Sequence, residues 1–308
     1  MEVITEIREP GERCVLALGN FDGIHLGHRR LLERGLAEAR RQGVEFAVLV
    51  FHPHPLHVLF PERGLKLLTT REERLRIFSE IGVQRIYLLP FTKQVASLTP
   101  EQFAKDFLVR LGVQHVIVGF NYSFGAHGRG TPMDLENLGQ TLGFGVSILQ
   151  AQALHGHVIS SSAIRKALLQ GDVATAKEML GRAPCLCGTV VSGEQRGRTL
   201  GYPTANLQVS EELLVPKRGV YAVETEWQGQ RIRGMMNIGM KPTFHAEYVT
   251  TIEVHFFDFV GDLYGEKLSL RILDRVRDER KFAGVEELTR QLAKDKEQIL
   301  KMFQNTVG

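Results

Sequence analysis

Cys14-Val15-Leu16-Ala17-Leu18-Gly19-Asn20-Phe21-Asp22-Gly23-Ile24-His25-Leu26-Gly27-His28 is the stretch on which the fold turns. Its first five residues read as a buried strand. A helix is expected after it, because Leu32, Leu36 and Ala39 fall at i, i+4 and i+7 and Gly43 supplies a stop. Between strand and helix lies a glycine-rich turn ending in His-x-Gly-His. The first backbone N–H groups of a helix have no helical partner, so this junction is a natural seat for phosphate. Glycines let the backbone approach an anion closely, and the imidazoles of His25 and His28 can hydrogen-bond charge developing on phosphorus. The alternative is a glycine turn with two solvated histidines.

Working outward, strand and helix signals alternate. Strands are expected over 45–51, 83–89, 115–118 and 146–149. Thr70 with Glu73 reads as a capping box opening a helix to about Ile81, stopped by Gly82. Thr99, Pro100 and Gln102 start another, with Phe103, Phe107 and Leu111 on its apolar face, and a further helix is expected over 134–142. This βα alternation implies a doubly wound parallel α/β sheet with ligands at the carboxyl ends of the strands.

Four segments carry chemistry, the first two directly after strands. His52-Pro53-His54-Pro55-Leu56-His57 crowds three histidines, but the prolines are expected to hold it extended and no Cys or carboxylate stands close by, so it reads as a site wall before a metal site. Gly119-Phe120-Asn121-Tyr122-Ser123-Phe124-Gly125 sets aromatics beside an amide, suited to a flat ligand or to a plain surface loop. Ala126-His127-Gly128-Arg129-Gly130 reads as flexible and cationic, able to cover a phosphate. Ile159-Ser160-Ser161-Ser162-Ala163-Ile164-Arg165 precedes a helix with Leu168 and Leu169 on its apolar side. It is either an ordinary serine N-cap or a triphosphate clamp. The two motifs, in this order, resemble the His-x-Gly-His and Ser-Ser/Thr-x-x-Arg signatures of the nucleotidyltransferase superfamily.

Gly181-Arg182-Ala183-Pro184 breaks the pattern, which sets expected domains at 1–183 and 184–308. Beyond it come short strands over 186–191, 219–225, 231–238, 251–257 and 268–273, the pattern of a compact antiparallel β-barrel. A terminal helix follows, with Leu288, Leu292, Ile299 and Phe303 at helical spacing. Gly193, Gly197 and Gly201 recur every fourth residue around Arg196 and Arg198, without the Gly-Lys-Ser/Thr of a Walker loop. In Gly201-Tyr202-Pro203-Thr204-Ala205-Asn206-Leu207, Thr204 and Asn206 are two apart in an extended segment, so both oxygens are expected to face one hard cation such as Mg²⁺.

This segment, Asn237-Ile238-Gly239-Met240-Lys241-Pro242-Thr243-Phe244, the Glu253-x-His255 pattern and Asp278-Glu279-Arg280-Lys281-Phe282 resemble bacterial riboflavin kinase. With the first half, the chain resembles the bifunctional riboflavin kinase/FAD synthetase family nearly end to end. That resemblance implies ATP-dependent phosphorylation of riboflavin to FMN in the barrel. It also implies adenylyl transfer from ATP to FMN, giving FAD and pyrophosphate, in the amino-terminal domain. It assigns His25 and His28 to the α-phosphate, within an ATP-binding turn of Gly19, Asn20, Phe21, Gly23 and Gly27. Ser160, Ser161, Ser162 and Arg165 would hold the outer phosphates, and Asn121 and Phe124 would line the flavin region. In the barrel, Gly193, Arg198, Gly201 and Pro203 would border ATP, Thr204 and Asn206 would hold Mg²⁺, and Glu253 would be the base. Read from its neighbours Ile252 and Val254 alone, Glu253 is an unpaired strand carboxylate that could simply face solvent. The chain departs from the family where Thr131-Pro132-Met133 precedes Asp134, and at His245-Ala246, where glycine is common.

Composition bounds the rest. The chain has 308 residues, a formal net charge of +3 and three cysteines. So small a charge on so long a chain argues against nucleic acid as main partner. There is no apolar run of membrane-spanning length and no basic signal-peptide start, so a cytoplasmic protein acting as a monomer or weak homo-oligomer is expected. Cys185 and Cys187 would share one face of a strand, where packing is favoured over metal. Two other functions fit: a nucleotidyltransferase for another small phosphate joined to a separate kinase, and a non-enzymatic flavin-binding regulator.

Overall fold

The computed structural model describes residues 1–7, 12–193, 201–242 and 248–305. The chain forms two compact units, Met1–Ser161 and Ser162–Gly308. In the first, β1 (Glu2–Ile4), β2 (Cys14–Leu18), β3 (Glu45–His52), β4 (Arg85–Pro90), β5 (Val113–Gly119) and β6 (Gly145–Leu149) form one parallel sheet in the order β1-β4-β3-β2-β5-β6. β2 is buried throughout, and its alternating residues feed two cores. Leu16 and Leu18 face Phe103, Phe107, Leu108 and Leu135. Val15 and Ala17 face Leu32, Ala39, Ile77 and Phe78. Helices on both faces are what a parallel sheet requires. Strand order reverses between β2 and β5, the switch point at which such sheets bind ligands.

The helix after β2 is α1 (Leu26–Gln42), ended by Gly43 in the left-handed conformation. A short α2 (Pro55–Leu59) stands where an extended segment is expected, with His54 as its N-cap: the His54 ring, not proline stiffness, sets the local backbone. α3 (Arg71–Ile81) starts at Thr70, but only half the capping box forms, because the Glu73 carboxylate pairs with Arg76 instead. After α4 (Lys93–Ala96), α5 (Pro100–Phe103) opens with a complete Thr99–Gln102 box and passes into a π-helical stretch, Ala104–Val109. α6 (Pro132–Leu142) has a complete Thr131–Asp134 box. A two-stranded ribbon, β7 (Ala153–Leu154) and β8 (His157–Val158), follows.

The second unit begins with α7 (Ser161–Gln170), whose first residue belongs to the first unit, and α8 (Val173–Leu180). Ile164, Ala167 and Leu168 are the buried residues of α7, whereas Leu169 is exposed rather than apolar-facing. β9 (Cys185–Val191), β10 (Ala205–Val209), β11 (Gly219–Trp227), β12 (Gln230–Pro242), β13 (Tyr248–Phe256) and β14 (Lys267–Arg277) close an antiparallel barrel in the order β10-β13-β12-β11-β14-β9. Its interior holds Leu186, Val190, Leu207, Tyr221, Val223, Met236, Ile238, Ile252 and Val254. On the outer face Val220, Ala222, Met235 and Phe257 pack against Ile299 and Phe303 of the terminal helix α9 (Val285–Asn305). Val173 of α8 joins the barrel core, and Lys177 Nζ donates to the Leu273 carbonyl at 3.0 Å. The compact units therefore divide at Ser161/Ser162, ahead of the pattern break at 181–184, and both α7 and α8 pack with the barrel unit.

Candidate active sites

The first site forms where β2 hands over to α1. Phe21 (φ 50°), Gly23 (φ 82°) and Ile24 (φ 39°) all lie in left-handed backbone, and Phe21 and Ile24 are fully buried. Such strain persists only where surroundings over-determine it. Asp22, 2 % exposed, accepts from the Leu68 N–H at 2.9 Å and from the Thr69 N–H and hydroxyl at 3.3 Å. The Gly23 N–H donates to Thr69 Oγ1 at 3.1 Å, and Arg74 Nη1 donates to the Asn20 carbonyl at 3.1 Å. Ser161 Oγ donates to the Asp22 carbonyl at 2.8 Å. The turn is held from three directions.

His25 is the N-cap of α1, its Nδ1 accepting from the His28 N–H at 3.2 Å. The two imidazoles stack with centroids 3.7 Å apart and planes 14° apart, and the Phe21 ring meets His28 edge-on. A Cβ on Gly27 would come within 3.1 Å of the His25 ring, a tight contact that glycine avoids. No acidic residue stands in the first turn of α1. Among the described residues His28 Nδ1 is buried without a hydrogen-bond partner. Burial, and then the neighbouring His25, hold the His28 pKa well below the ordinary histidine value. The arrangement is a helix N-terminus with a neutral, desolvated imidazole above it.

Beyond β5, Asn121 is exposed, but Phe124 is 5 % exposed and packs on Phe103 and Tyr122 with centroids 5.4 and 5.9 Å away. Phe124, expected to line the flavin region, lies in the core cluster, pinned by paired hydrogen bonds to Gly130. The stretch expected to be flexible, 126–130, is a tight turn whose Ala126 N–H bonds the Leu98 carbonyl. Asp134 caps α6 through the Thr131 N–H, which explains why it stands after Thr131-Pro132-Met133. His57 Nε2 lies 2.8 Å from the Leu65 carbonyl, and among the described residues no three metal-ligating side chains converge.

The second site is a row across three neighbouring barrel strands. Asn206 of β10 and Asn237 of β12 both stand directly opposite Glu253 of β13. Because side chains alternate along a strand, all three lie on the face opposite the interior residues Leu207, Ile238, Ile252 and Val254. Lys241 Nζ donates to Glu253 Oε1 at 2.6 Å, so Glu253 is paired, not the lone carboxylate that its strand neighbours suggest. The lysine four residues after Asn237 is close enough because β12 and β13 pair without a break from Gly234 to Pro242. Thr204 directly precedes β10. A Cβ on Gly193 would fall 1.9 Å from Asn206 Nδ2, and one on Gly239 would fall 2.5 Å from Glu279 Oε1. Glycine at these positions lets the Asn206 and Glu279 side chains lie directly against the backbone. His255 Nδ1 lies 2.8 Å from the Pro203 carbonyl, and burial lowers its pKa, so the neutral ring donates from Nδ1 and anchors the segment that carries Thr204. Tyr202 packs edge-on against it. Glu279, Lys241 and Asn237 were not singled out by sequence reasoning; their signal is position within the two quoted motifs. Arg196, Gly197, Arg198, Thr243, Phe244, His245 and Ala246 lie outside the described residues. Ser162 and Arg165 stand in the first turns of α7, Ser162 exposed and Arg165 half-buried.

Comparison with known proteins assigns a different family model to each part of the chain. The FAD synthetase family model matches residues 7–163, and the riboflavin kinase family model matches residues 180–303. A bifunctional riboflavin kinase/FMN adenylyltransferase of Bacillus subtilis is 39 % identical over 97 % of this chain and 95 % of its own. That of Listeria monocytogenes is 40 % identical over 94 % and 92 %. A crystal structure from Streptococcus pneumoniae, described as a macrolide-efflux protein, superposes with a TM-score of 0.88 at 36 % identity over 96 % of this chain and 98 % of that one. Among the described residues here, no helix is long and apolar enough to cross a membrane. By both family models and by identity across nearly its full length, the chain belongs to the bifunctional riboflavin kinase/FMN adenylyltransferase family.

Proposed function

We propose how the two reactions of this enzyme, riboflavin to FMN and FMN to FAD, are divided over its residues. Riboflavin phosphorylation belongs to the barrel. Glu253 accepts the proton of the ribityl hydroxyl as that oxygen attacks the γ-phosphorus of ATP and ADP departs. Lys241 keeps the carboxylate turned toward the row. The neutral oxygens of Thr204 and Asn206 suit a hard cation, and the missing side chain of Gly193 is what accommodates the Asn206 amide, so these residues fit Mg²⁺. When bound there, Mg²⁺ supplies charge neutralisation on the transferring phosphoryl group. The observation that carries this half is the register row Asn206–Glu253–Asn237.

Adenylyl transfer belongs to the amino-terminal domain. An FMN phosphate oxygen attacks the α-phosphorus of ATP and pyrophosphate leaves. This nucleophile is already anionic, so no strong base is required. His28 and His25, at the N-terminus of α1, orient the α-phosphate and offset its growing charge, with Gly19, Asn20, Phe21, Gly23 and Gly27 shaping the seat. Ser160, Ser161, Ser162 and Arg165 are assigned to the outer phosphates, and Asn121 to the flavin. Phe124, buried as it is, shapes this region by supporting Tyr122 and the Asn121 loop.

One experiment tests both assignments: riboflavin, ATP and Mg²⁺ are supplied, and FMN and FAD are separated over time. Glu253→Gln should slow FMN formation by about 10²–10⁴-fold and leave FAD synthesis from supplied FMN intact. His28→Ala should do the reverse, losing about 10²–10³-fold in FAD synthesis and accumulating FMN. FMN formation at the parental rate in Glu253→Gln would place the kinase base elsewhere.

A further inference from the structure

The turn between β2 and α1 holds a buried carboxylate that has no part in the chemistry assigned above. Asp22 Oδ1 accepts from the Leu68 N–H at 2.9 Å and from the Thr69 N–H and hydroxyl, each at 3.3 Å. Its Oδ2 lies 3.1 Å from the same Leu68 N–H. A hydroxyl has one proton to give. The Gly23 N–H donates to Thr69 Oγ1 at 3.1 Å, and Thr69 Oγ1 in turn donates to Asp22, so the order of donation runs from Gly23 through Thr69 to Asp22. Thr69 stands on an anchored segment. The next residue, Thr70, caps α3 by accepting from the Glu73 N–H, and Arg74 of that helix donates to the Asn20 carbonyl.

This clamp acts on the strained part of the turn. Phe21 and Ile24 flank Asp22 and Gly23 at φ 50° and 39°, a conformation that bulky L-residues leave once their restraints are removed. Both lead straight to the imidazoles. The Phe21 ring meets His28 edge-on at 5.2 Å, and Ile24 is followed by His25, whose ring stacks on His28. From another direction, the Asp22 carbonyl accepts from Ser161 Oγ at 2.8 Å. One residue thus ties the His-x-Gly-His turn to the start of α3 by its side chain and to the serine motif by its backbone. A carboxylate suits this task because it only accepts. An amide there would turn an NH₂ toward the Leu68 N–H and give up the charge that strengthens these bonds.

We propose that Asp22 and Thr69 are positioning residues for adenylyl transfer, holding His25 and His28 where the α-phosphate reacts. The proposal rests on the role given above to those histidines. Asp22 and Thr69 are only 2 % and 4 % exposed, so neither is placed to touch substrate. Their loss should therefore be felt in the chemical step and not in the binding of ATP.

The test measures FAD synthesis from supplied FMN by the full-length chain, with kcat and KM for ATP separated, beside FMN formation from riboflavin. Thr69→Val keeps the shape and removes the hydroxyl, which should lower kcat for FAD synthesis about 10-fold while KM for ATP stays near the parental value. Thr69→Ser, which restores the hydroxyl, should recover most of that loss. Asp22→Asn should cost about 10²-fold in kcat, the scale of a misplacement of about 1 Å. FMN formation should stay at the parental rate in all three. Parental kcat in Thr69→Val, equal losses in Thr69→Val and Thr69→Ser, or a raised KM with kcat intact overturns the proposal. If Asp22→Asn fails to fold, the Thr69 pair decides the matter. His28→Ala in the same assay keeps the two readings apart. If it alone loses FAD synthesis, the clamp is not needed; if it loses none, the role of the histidines falls first and the proposal with it.

Discussion

His28 sits where a charge would be expensive. Its Nδ1 is buried without a partner among the described residues, and its pKa is held low by burial and by His25 stacked on it. In the role proposed for it the imidazole would meet ATP neutral, and binding phosphate should raise its proton affinity. Histidine NMR should find His28 titrating well below the ordinary histidine range in the free protein and shifted toward protonation when a non-hydrolysable ATP analogue binds. The depressed folded-state pKa also fixes a sign for stability. Below the unfolded value near 6.5 the unfolded chain takes up a proton that folded His28 refuses, so His28 lowers stability as pH falls through that value. Urea midpoints at pH 5.5 and pH 8 should therefore differ less in His28→Gln than in the parent; an equal difference would mean the ring is not neutral when folded. The roles of His25, His28, Asn206 and Glu253 are those proposed above; the residues themselves were legible in the sequence because each stands in a short motif. The pairing of Glu253 with Lys241 was not, since it depends on the register of two strands joined through 243–247. Nor was the burial of Phe124, which its ladder with Gly130 imposes.

At the scale of elements, α1 shows what periodicity reveals and what it conceals. Leu32, Leu36 and Ala39 announced the helix, yet nothing local marks Gly35. A Cβ there would lie 2.2 Å from Phe46 Cε2, and Phe46 is fully buried under α1. Helix propensity alone would make Gly35→Ala stabilising by about 1 kcal/mol. Overpacking against a ring that cannot move should outweigh this and destabilise the protein by about 1–3 kcal/mol, read as a lower urea midpoint. Because α1 carries both histidines at its start, FAD synthesis should fall as well, while FMN formation stays unchanged. An unchanged midpoint would mean that Phe46 has room to shift. The stretch after α5 makes a related point. Phe103, Phe107 and Leu111 are spaced by four, and each such step overshoots an α-helical turn by about 40°. The wider winding over Ala104–Val109 absorbs the overshoot and keeps both rings and Leu111 in one core. The apolar spacing gave the helix its place but could not report its winding.

For the whole molecule the open question is where an autonomous kinase begins. The change from βα alternation to short strands put the boundary at 183/184, and the barrel with its terminal helix was legible from that change. The allegiance of α7 and α8 was not, because their amphipathic pattern says that they bury a face without saying against what. Val173 lies in the barrel core, Ala176, Met179 and Leu180 are buried, and Lys177 reaches the Leu273 carbonyl. Removing α8 exposes the barrel surface that Val173 covers and leaves that carbonyl without its ammonium donor. Loss of Val173 alone forfeits about 1.5–3 kcal/mol of burial, a large share of a small barrel's stability. Fragments 162–308 and 184–308 should both convert riboflavin to FMN and make no FAD, since neither contains His25 or His28. The longer one should unfold at a clearly higher temperature. Equal melting temperatures would show that α8 merely rests on the barrel. FMN formation by 162–308 with an unfolded 184–308 would move the functional boundary to the start of α7, making the two helices part of the kinase and not of the adenylyltransferase.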